Sequence, residues 1–354
     1  MTGEHVVVAM SGGVDSSVAA ALLVEQGYEV IGLMLRLWAE PGGESDNRCC
    51  TPDAVDDARR VADSLDIPFY LINVEAPFKK HVVEYFIGEY AAGRTPNPCL
   101  MCNRHIRFDL LLNRALALDA RYLATGHYAR LRHAGGRYHL LKGVDDHKDQ
   151  SYVLYMLNQQ RLSHLIFPLG EYRKPQVREI ARRHDLPVAE RAESQDLCFL
   201  ADGDYRRFLR EKIPKAVQPG PITDQTGQVL GQHQGLPFYT IGQRRGLGIA
   251  APEALYVLEI DTPSNTLIVG PAAELRRTEL TAGDVSYISG QAPQEPLPVM
   301  AKIRYKAREA PALLAPLPGH RAVLHFDHPL RDITPGQGVV FYRGEELVGG
   351  GIIE

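Results

Sequence analysis

The chain has few cysteines, a single tryptophan and no marked excess of charge of either sign. Five cysteines among 354 residues argue against a disulfide-stabilised secreted protein and for reactive or metal-binding thiols. No apolar run approaches the length of a membrane span, so we expect no membrane partner. The first predicted strand begins a few residues after Met1, which leaves no room for a signal peptide and predicts a cytoplasmic location.

The balance of charge also limits the kinds of partner that the whole molecule can attract. The formal net charge is −4, so any contact with RNA must come from local basic patches. A hydrophobic fraction of 45% and a charged fraction of 23% are typical of globular proteins. The length predicts two or three domains.

Strands and helices alternate through the first half of the chain. This alternation predicts an α/β fold, a doubly wound parallel sheet that binds ligands at the carboxyl ends of its strands. The predicted strands cover residues 6–9, 28–34, 68–74 and 121–125, and the predicted helices cover 18–24, 53–65, 81–92, 103–118 and 175–184.

The second half changes in composition. A proline-rich stretch from Pro214 to Pro221 suggests a domain joint, and short β-like runs beyond it are separated by Pro and Gly turns. These runs, at residues 299–305, 322–326 and 338–342, predict a small β-barrel. We therefore expect a catalytic domain with a helical extension over 1–213, a small mixed central domain over 214–272 and a C-terminal β-barrel over 273–354.

The segment between the first strand and the first helix, Met10–Ser17, reads Met-Ser-Gly-Gly-Val-Asp-Ser-Ser. We expect Gly12 and Gly13 to adopt φ values that a side chain would forbid and to let a ligand approach the backbone. Their amides, the Ser11 and Ser16 hydroxyls and the helix N-terminus could surround a phosphate. A plain turn of small residues is the alternative.

No lysine follows these glycines, so the segment is not the Walker loop that binds β- and γ-phosphates. Asp15 is better suited to hold Mg²⁺ on a pyrophosphate. The pattern Ser-Gly-Gly-Val-Asp-Ser resembles the PP-loop of ATP pyrophosphatases, which split ATP between the α- and β-phosphates and adenylate a carbonyl or carboxyl oxygen. We expect Met34 and Gly126, at other strand ends, to lie near the adenine or ribose, although core packing alone would explain Met34.

Cysteines form the second informative pattern. Cys99 and Cys102 stand three residues apart at the predicted start of a helix, where the helix N-terminus lowers a thiol pKa, and Cys198 is a third, separate thiol. A thioredoxin-like pair, a partial zinc site and packing cysteines are alternatives. We expect Cys49 and Cys50, in a loop, to be dispensable.

Several longer motifs give the chain a close resemblance to the bacterial tRNA-specific 2-thiouridylases over essentially its whole length. They are the Ser-Gly-Gly-Val-Asp-Ser loop, Gly-Arg-Thr-Pro-Asn-Pro from Gly93, Ala-Thr-Gly-His-Tyr from Ala124, Lys-Asp-Gln-Ser-Tyr from Lys148 and Gly-Gln-Arg-Arg-Gly-Leu-Gly from Gly242. The resemblance implies ATP- and Mg²⁺-dependent sulfur transfer to carbon 2 of the wobble uridine in tRNAs of the lysine, glutamate and glutamine type. It also implies a cysteine desulfurase or sulfur-relay protein as donor.

The resemblance further implies a role for individual residues, with Cys102 as the nucleophile and Cys198 as the carrier of a persulfide. The two sulfurs would end a turnover as a disulfide, which requires a mobile Cys198 loop. The implied ATP-binding residues are Ala9, Met10, Ser11, Gly12, Gly13, Val14, Asp15, Ser16, Met34 and Gly126. The implied contacts of the target base are Asn97, Pro98 and Cys99, and those of the tRNA are His127, Lys148, Asp149, Gln150, Arg304, Tyr305 and Gln337.

One departure leaves the sulfur chemistry open. Many members of the family carry Asp where this chain has Cys99. Cys99, Cys102 and Cys198 could then hold a [4Fe–4S] cluster with one open iron, although four cysteines are usual. Hydrosulfide on that iron is the alternative to a Cys198 persulfide.

Basic residues alternate through Ala301–Glu309, at Lys302, Arg304, Lys306 and Arg308. On a strand they would share one face and suit an RNA backbone, although a solvated barrel face is the plainer interpretation. Two other functions remain open. A PP-loop ligase acting on a small metabolite would explain the loop but not the thiols, and a non-catalytic ATP- or RNA-binding module would explain neither Asp15 nor the thiols.

Overall fold

The computed structural model describes residues 3–40, 51–192 and 197–354. Cys49 and Cys50 lie outside the described residues. The strands are β1 His5–Met10, β2 Glu29–Arg36, β3 Phe69–Asn73, β4 Tyr122–Thr125, β5 Ala129–Ala134, β6 Arg137–Lys142, β7 Leu165–Ile166, β8 Gly220–Thr223, β9 Val229–His233, β10 Leu255–Asp261, β11 Thr266–Pro271, β12 Arg277–Tyr287, β13 Leu297–Lys302, β14 Ala310–Leu317, β15 Arg321–Leu330, β16 Gly338–Arg343 and β17 Glu346–Ile353.

Helices occur mainly in the first 212 residues. The α-helices are α1 Val14–Glu25, α2 Pro52–Ser64, α3 Glu75–Phe78, α4 Glu84–Ala91, α5 Pro98–Met101, α6 Leu112–Leu116, α7 Gln159–Leu162, α8 Lys174–Arg183 and α9 Tyr205–Lys212. Shorter helical segments are the π-helical stretches Lys79–Val83 and Cys102–Leu111 and the 3₁₀ turns Ser151–Leu154, Leu236–Phe238 and Ala272–Leu275. None of the helices among the described residues is both long and apolar enough to cross a lipid bilayer.

The first sheet is parallel and has the strand order β3-β2-β1-β4-β7. Its central strand β1 is buried along Val6–Met10, as expected for a strand covered on both faces. A core cluster lies on each side of this strand. Val7 belongs to one cluster, and Val6 and Val8 belong to the other. The predicted α/β fold is confirmed.

The helix that carries the cysteine pair begins earlier than predicted. It runs continuously from Pro98 through the π-helical stretch to Leu116, rather than from Asn103. Asn97 is its N-cap, and the Asn97 side chain accepts a hydrogen bond from the backbone amide of Cys99 at 3.1 Å. Pro at the first helical position has its φ angle already set, and its missing amide hydrogen leaves no donor unsatisfied there.

The second half of the chain contains two further sheets. Strands β10-β11-β8-β9 form a small central sheet. Strands β12-β15-β14-β13-β16-β17 form a barrel that closes because β12 also pairs with β17. A closed barrel leaves no unpaired strand edge within the ring.

The hairpin β5–β6 is absent from the sequence-based prediction, although its signal is present. Two alternating runs flank Gly135-Gly136, and both glycines have positive φ, as a two-residue hairpin turn requires. The hairpin extends from the catalytic domain to the barrel, where Leu141 pairs with Glu346. Lys142 adds an ion pair to Glu309 at 2.6 Å.

The prediction that the basic residues of Ala301–Glu309 share one face of a strand is wrong. Strand β13 ends at Lys302, and the chain then bends and turns before β14. Lys306 and Arg308 are exposed, whereas Arg304 points inward to the carbonyl of Asp332 and the hydroxyl of Thr334. Alternation of charge therefore does not place these side chains on one face.

Candidate active site

The Met10–Ser17 segment is the turn between β1 and α1. The Ser11 amide donates to the Ser16 hydroxyl at 3.1 Å, and the two hydroxyl oxygens are also 3.1 Å apart. The Gly13 carbonyl accepts from the hydroxyls of Ser16 and Ser17 at 3.2 and 2.9 Å. No side chain caps α1, so the first amides of this helix stay available to an anionic ligand.

The two glycines of this turn differ in their constraints. Gly12 has a φ of +71°, and a Cβ atom there would overlap the backbone carbonyl of Ala54 in α2. Gly13 has a φ of −99°, so the expectation that both glycines adopt forbidden angles is wrong for Gly13. A Cβ atom on Gly13 would meet only the Ser11 hydroxyl, at 3.4 Å. Gly13 thus leaves open space rather than relieving strain.

Asp15 stands in the first turn of α1 and has two cationic or polar neighbours. The Lys174 ammonium lies 2.6 Å from one Asp15 carboxylate oxygen, and the Tyr128 hydroxyl donates to the same oxygen at 2.7 Å. Lys174 is itself buried, and its backbone amide donates to Asp145 at 2.9 Å. This arrangement places a carboxylate and an ammonium together at the start of α1.

Gly126 and Met34 occupy different surroundings. A Cβ atom on Gly126 would lie 2.9 Å from the backbone of Asp15 and Ser16, so Gly126 directly supports the start of α1. Met34 is 1% exposed and lies beside Met10 in the neighbouring strand. The position of Met34 agrees with the plainer expectation of core packing, and its role toward a nucleotide stays a prediction.

Cys99 lies on α5, and Cys102 is the first residue of the π-helical stretch that continues it. Cys99 is exposed and Cys102 is half-buried. Both stand within the first two turns of the helical run that begins at Pro98. Buried Asn103 follows them, and its side-chain amide donates to the Cys99 carbonyl at 3.0 Å.

Cys198 precedes a segment that is tightly packed. Phe199 is 1% exposed, with ring centroids 6.2 Å from Phe78 and 5.3 Å from Phe86. Both of these rings belong to the helical run Glu75–Ala91, which also contacts α5. Cys102 and Cys198 are both half-buried against the main hydrophobic core, which extends from the parallel sheet to the central sheet and the barrel.

An arginine fixes the chain just beyond Cys198. The Arg207 guanidinium makes a two-pronged contact with Glu40, at 2.7 Å for each oxygen, and a further hydrogen bond to Asp202 at 2.7 Å. This contact lowers the pKa of the Asp202 carboxyl to about 2. It also lowers the pKa of Glu40, against the opposing effect of burial.

The placement of Cys99, Cys102 and Cys198 determines whether the three thiols could bind a metal together. Cys99, Cys102 and Cys198 are not in disulfides. Across residues 3–40, 51–192 and 197–354, no group of three His, Cys, Asp or Glu side chains is arranged to hold a metal ion. The three thiols as placed here do not fit a [4Fe–4S] cluster. A single carboxylate such as Asp15 does suit Mg²⁺, which keeps most of its ligands from phosphates and water.

Four of the expected tRNA contacts lie between residues 127 and 150, and three of them make hydrogen bonds within the protein. His127 is buried, its ring lies 2.7 Å from the Thr125 hydroxyl, and burial lowers its pKa to about 3. The Asp149 carboxylate accepts from the backbone amides of Gly143 and Ser151, and the Gln150 side-chain oxygen accepts from the Tyr128 amide. Lys148 is half-buried beside them.

The second group of expected tRNA contacts lies on the barrel. Tyr305 is half-buried, and burial raises its pKa, with further contributions from Asp149 and Cys99. The Gln337 amide donates to the Thr95 carbonyl at 2.8 Å. The structure thus brings Tyr305 and Gln337 to the side of the Cys99 helix.

Sequence reasoning missed two charged residues of this site. Lys174 is the first residue of α8, after a strand of only two residues. This local pattern does not indicate an ion pair with Asp15, which is 159 positions away. Arg207 lies on an ordinary amphipathic helix, α9, whose pattern indicates only a half-buried surface helix. Both partnerships depend on tertiary contacts that no local pattern encodes.

The parallel sheet with a Ser-Gly-Gly-Val-Asp-Ser turn at the end of its central strand defines a PP-loop nucleotide-binding protein. Family models match residues 4–202 as a tRNA methyl transferase HUP domain, 206–271 as a tRNA methyl transferase PRC-barrel domain and 277–353 as an aminomethyltransferase β-barrel domain.

Full-length relatives make the assignment more specific. The tRNA-specific 2-thiouridylase MnmA of Pelotomaculum thermopropionicum is 54% identical over 360 residues, which cover 100% of this chain and 98% of the relative. The MnmA of Moorella thermoacetica is 54% identical over 352 residues, 98% of each chain. The chain belongs to the tRNA-specific 2-thiouridylase MnmA family.

Solved structures are more distant. The U34-tRNA thiolase NcsA from Methanococcus maripaludis with its [4Fe-4S] cluster is 20% identical, with a TM-score of 0.38 over 60% of this chain and 69% of that one. A 4-thiouridine synthetase–RNA complex with bound ATP is 16% identical, with a TM-score of 0.38 over 60% of this chain and 51% of that one. Likenesses of this size do not inform on the cluster.

Proposed function

We propose that the chain is a tRNA-uridine 2-sulfurtransferase, which converts ATP to AMP and diphosphate while it replaces the C2 oxygen of the wobble uridine with sulfur. The observation that carries the proposal is the combination of an uncapped α1 N-terminus after the Ser-Gly-Gly-Val-Asp-Ser turn with the Cys102 and Cys198 thiols in the same domain. Family membership supports it. A ligase acting on a small metabolite would leave Cys102 and Cys198 without a task.

The first step is adenylation. The C2 oxygen attacks the α-phosphorus of ATP, the bond to the bridging oxygen breaks and diphosphate leaves. Asp15 is suited to bind Mg²⁺, which would neutralise charge on the leaving diphosphate. The Lys174 ammonium, now on Asp15 at 2.6 Å, is close enough to the loop to bind the same phosphates, and the amides of α1 add fixed positive dipoles.

The second step is sulfur transfer from a Cys198 persulfide. The outer sulfur attacks C2, and AMP leaves with the former carbonyl oxygen. The Cys102 thiolate then attacks the Cys198 sulfur. The bond between the Cys198 sulfur and the sulfur on C2 breaks, and its electron pair stays on the sulfur of the new thiocarbonyl. Cys102 and Cys198 end as a disulfide, which an external thiol must reduce before a sulfur-relay donor reloads Cys198.

The persulfide route is preferred to an iron–sulfur route because the three thiols do not form a metal-binding group in the described structure. Cys99 lies exposed at the helix start, next to its N-cap Asn97. We keep Asn97, Pro98 and Cys99 as the proposed contacts of the target base, the role that the family resemblance implies. An unpaired base of the anticodon loop can be unstacked at small cost to reach them.

The RNA surface combines the barrel with the central unit. Exposed Arg244, Arg245, Lys306 and Arg308 carry the positive charge that can face the phosphates of an anticodon stem. Lys148 and Tyr305 remain proposed tRNA contacts. Asp149, Gln150, Arg304 and Gln337 hold the surrounding backbone, and buried His127 holds the Thr125 side chain. The proposed domains remain 1–213, 214–272 and 273–354.

The deciding experiment measures labelled AMP from α-labelled ATP, and diphosphate by an enzymatic assay, with and without an anticodon stem–loop transcript. We expect AMP and diphosphate in equal amounts only with RNA, and a loss of at least about tenfold in Lys174→Met. AMP formation that requires a small carboxylate or amine instead of RNA would support a metabolite ligase and overturn the proposal.

A further inference from the structure

Thr95 stands four residues before Cys99 and makes hydrogen bonds to both the barrel and the central unit. Its amide donates to the Pro335 carbonyl at 2.9 Å, and its carbonyl accepts from the Gln337 side chain at 2.8 Å. Its hydroxyl donates to the Thr240 hydroxyl at 3.2 Å. The barrel thus holds the backbone of Thr95, and the central unit holds its side chain.

The barrel loop and the central sheet pack too closely against the Gly93–Thr95 stretch to move past it. A Cβ atom on Gly336 would lie 3.0 Å from the Thr95 backbone, and one on Gly93 would lie 2.8 Å from the Thr262 side chain. The barrel loop and the central sheet therefore press on the same short stretch of the catalytic domain from two sides. A displacement of either unit must move the backbone at Thr95 or break these bonds.

Little freedom remains between Thr95 and the thiols. Pro96 and Pro98 are buried, and prolines fix their own φ angles and restrict the residues before them. Leu100, between the two cysteines, lies against Gly338 of the barrel, where a Cβ atom would be 2.9 Å from the leucine. A shift at Thr95 is thus transmitted to the Cys99–Cys102 turn.

The barrel loop is also tied to the proposed RNA surface. Arg304 donates to the Asp332 carbonyl at 3.0 Å and to the Ile241 carbonyl at 3.4 Å, three residues before exposed Arg244. Thr240, the partner of the Thr95 hydroxyl, is the neighbour of Ile241. The residues that would meet RNA and the residues that hold Thr95 therefore belong to one connected backbone network.

We infer that Thr95 and Gln337 are positioning residues, which set the Cys99–Cys102 turn according to how the barrel and central unit dock on RNA. The inference rests on the proposed function for its biological meaning. It assigns to Gln337 an effect on thiol placement and not a direct contact with tRNA.

The test uses Gln337→Leu and Thr95→Val in the full chain and follows three quantities. These are the iodoacetamide alkylation rate of Cys102, measured by peptide mass spectrometry with and without the stem–loop, the Kd for that RNA and the single-turnover thiolation rate. We expect RNA to change Cys102 alkylation in the parent chain and not in either variant. Thiolation should fall about tenfold or more while the Kd stays within about twofold, because misplacement affects chemistry rather than docking.

Thr95→Ser, which keeps the hydroxyl, should restore the RNA response. Gln159→Leu is the matched control, because Gln159 also bonds the carbonyls of Tyr138 and Ile288 across units but does not touch the Thr95 stretch. A large rise in Kd with unchanged alkylation in Gln337→Leu would make Gln337 an RNA contact and overturn the inference. Absence of thiolation in the parent chain would remove the proposed function, whereas alkylation and Kd would still decide the positioning role.

Discussion

Single residues explain why the nucleotide loop has its particular sequence. Gly12 is required by the fold, because its positive φ and the carbonyl of Ala54 leave no place for a side chain. Gly13 has ordinary angles and open space, so its lack of a side chain serves the ligand. Two adjacent glycines that look equivalent in sequence therefore have different physical roles.

Substitution of the two glycines by alanine separates these roles. Gly12→Ala should lower the free energy of unfolding by about 2 kcal/mol or more, since the strained angle and the overlap add. Gly13→Ala should keep the parent stability but weaken ATP binding, because its methyl group occupies space beside the phosphates. Urea unfolding and ATP titration measure the two effects, and equal losses of stability in both variants would refute the distinction.

At the scale of elements, one helical run holds both thiol segments. The run Glu75–Ala91 packs against α5 on one side and against Phe199 on another, while Arg207 on α9 fixes Asp202 and Glu40. The chain after Cys198 is therefore anchored.

Arg207→Gln tests this anchor. The variant loses the two-pronged contact with Glu40, so sulfur transfer should slow by about tenfold while RNA-dependent AMP formation persists. Single-turnover thiolation and AMP release are measured on the same samples. Arg182→Gln, which removes only the exposed pair with Glu190, is the control and should leave both rates unchanged. Equal slowing of AMP release would assign Arg207 a general structural role.

The elements also show how far the sequence could lead. The strand–turn–helix around Ser11 and the start of α2 at Thr51, whose hydroxyl caps Ala54 at 3.1 Å, carry local signals and were predictable. The Gly135-Gly136 hairpin had a signal that was overlooked. The ion pair between Lys174 and Asp15 and the inward turn of Arg304 had none, because tertiary contacts determine them.

At the scale of the whole molecule, the net charge of −4 is compatible with RNA binding only through a local surface. The closed barrel and the central sheet supply exposed cations in loops rather than along one strand. Such contacts hold RNA through its phosphates, so they contribute affinity that depends on salt.

Lys306→Ala and Arg308→Ala test this surface. Each should weaken binding of the stem–loop and reduce the slope of log K against log salt by about one unit or less, since one phosphate contact is lost. Lys215→Ala, an exposed lysine of the proline-rich joint, is the matched control. Unchanged salt slopes in both variants would place the RNA elsewhere.

The most direct measurement of the central claim is one anaerobic turnover of iron-free protein whose thiols have been loaded with sodium polysulfide and desalted. With ATP, Mg²⁺ and the stem–loop, we expect 2-thiouridine, up to one per chain, and a disulfide between Cys102 and Cys198. Cys102→Ser should form AMP without 2-thiouridine. Thiolation that appears only after an iron–sulfur cluster is reconstituted, or that survives in Cys102→Ser, would rule out sulfur transfer from a Cys198 persulfide with Cys102 as the nucleophile.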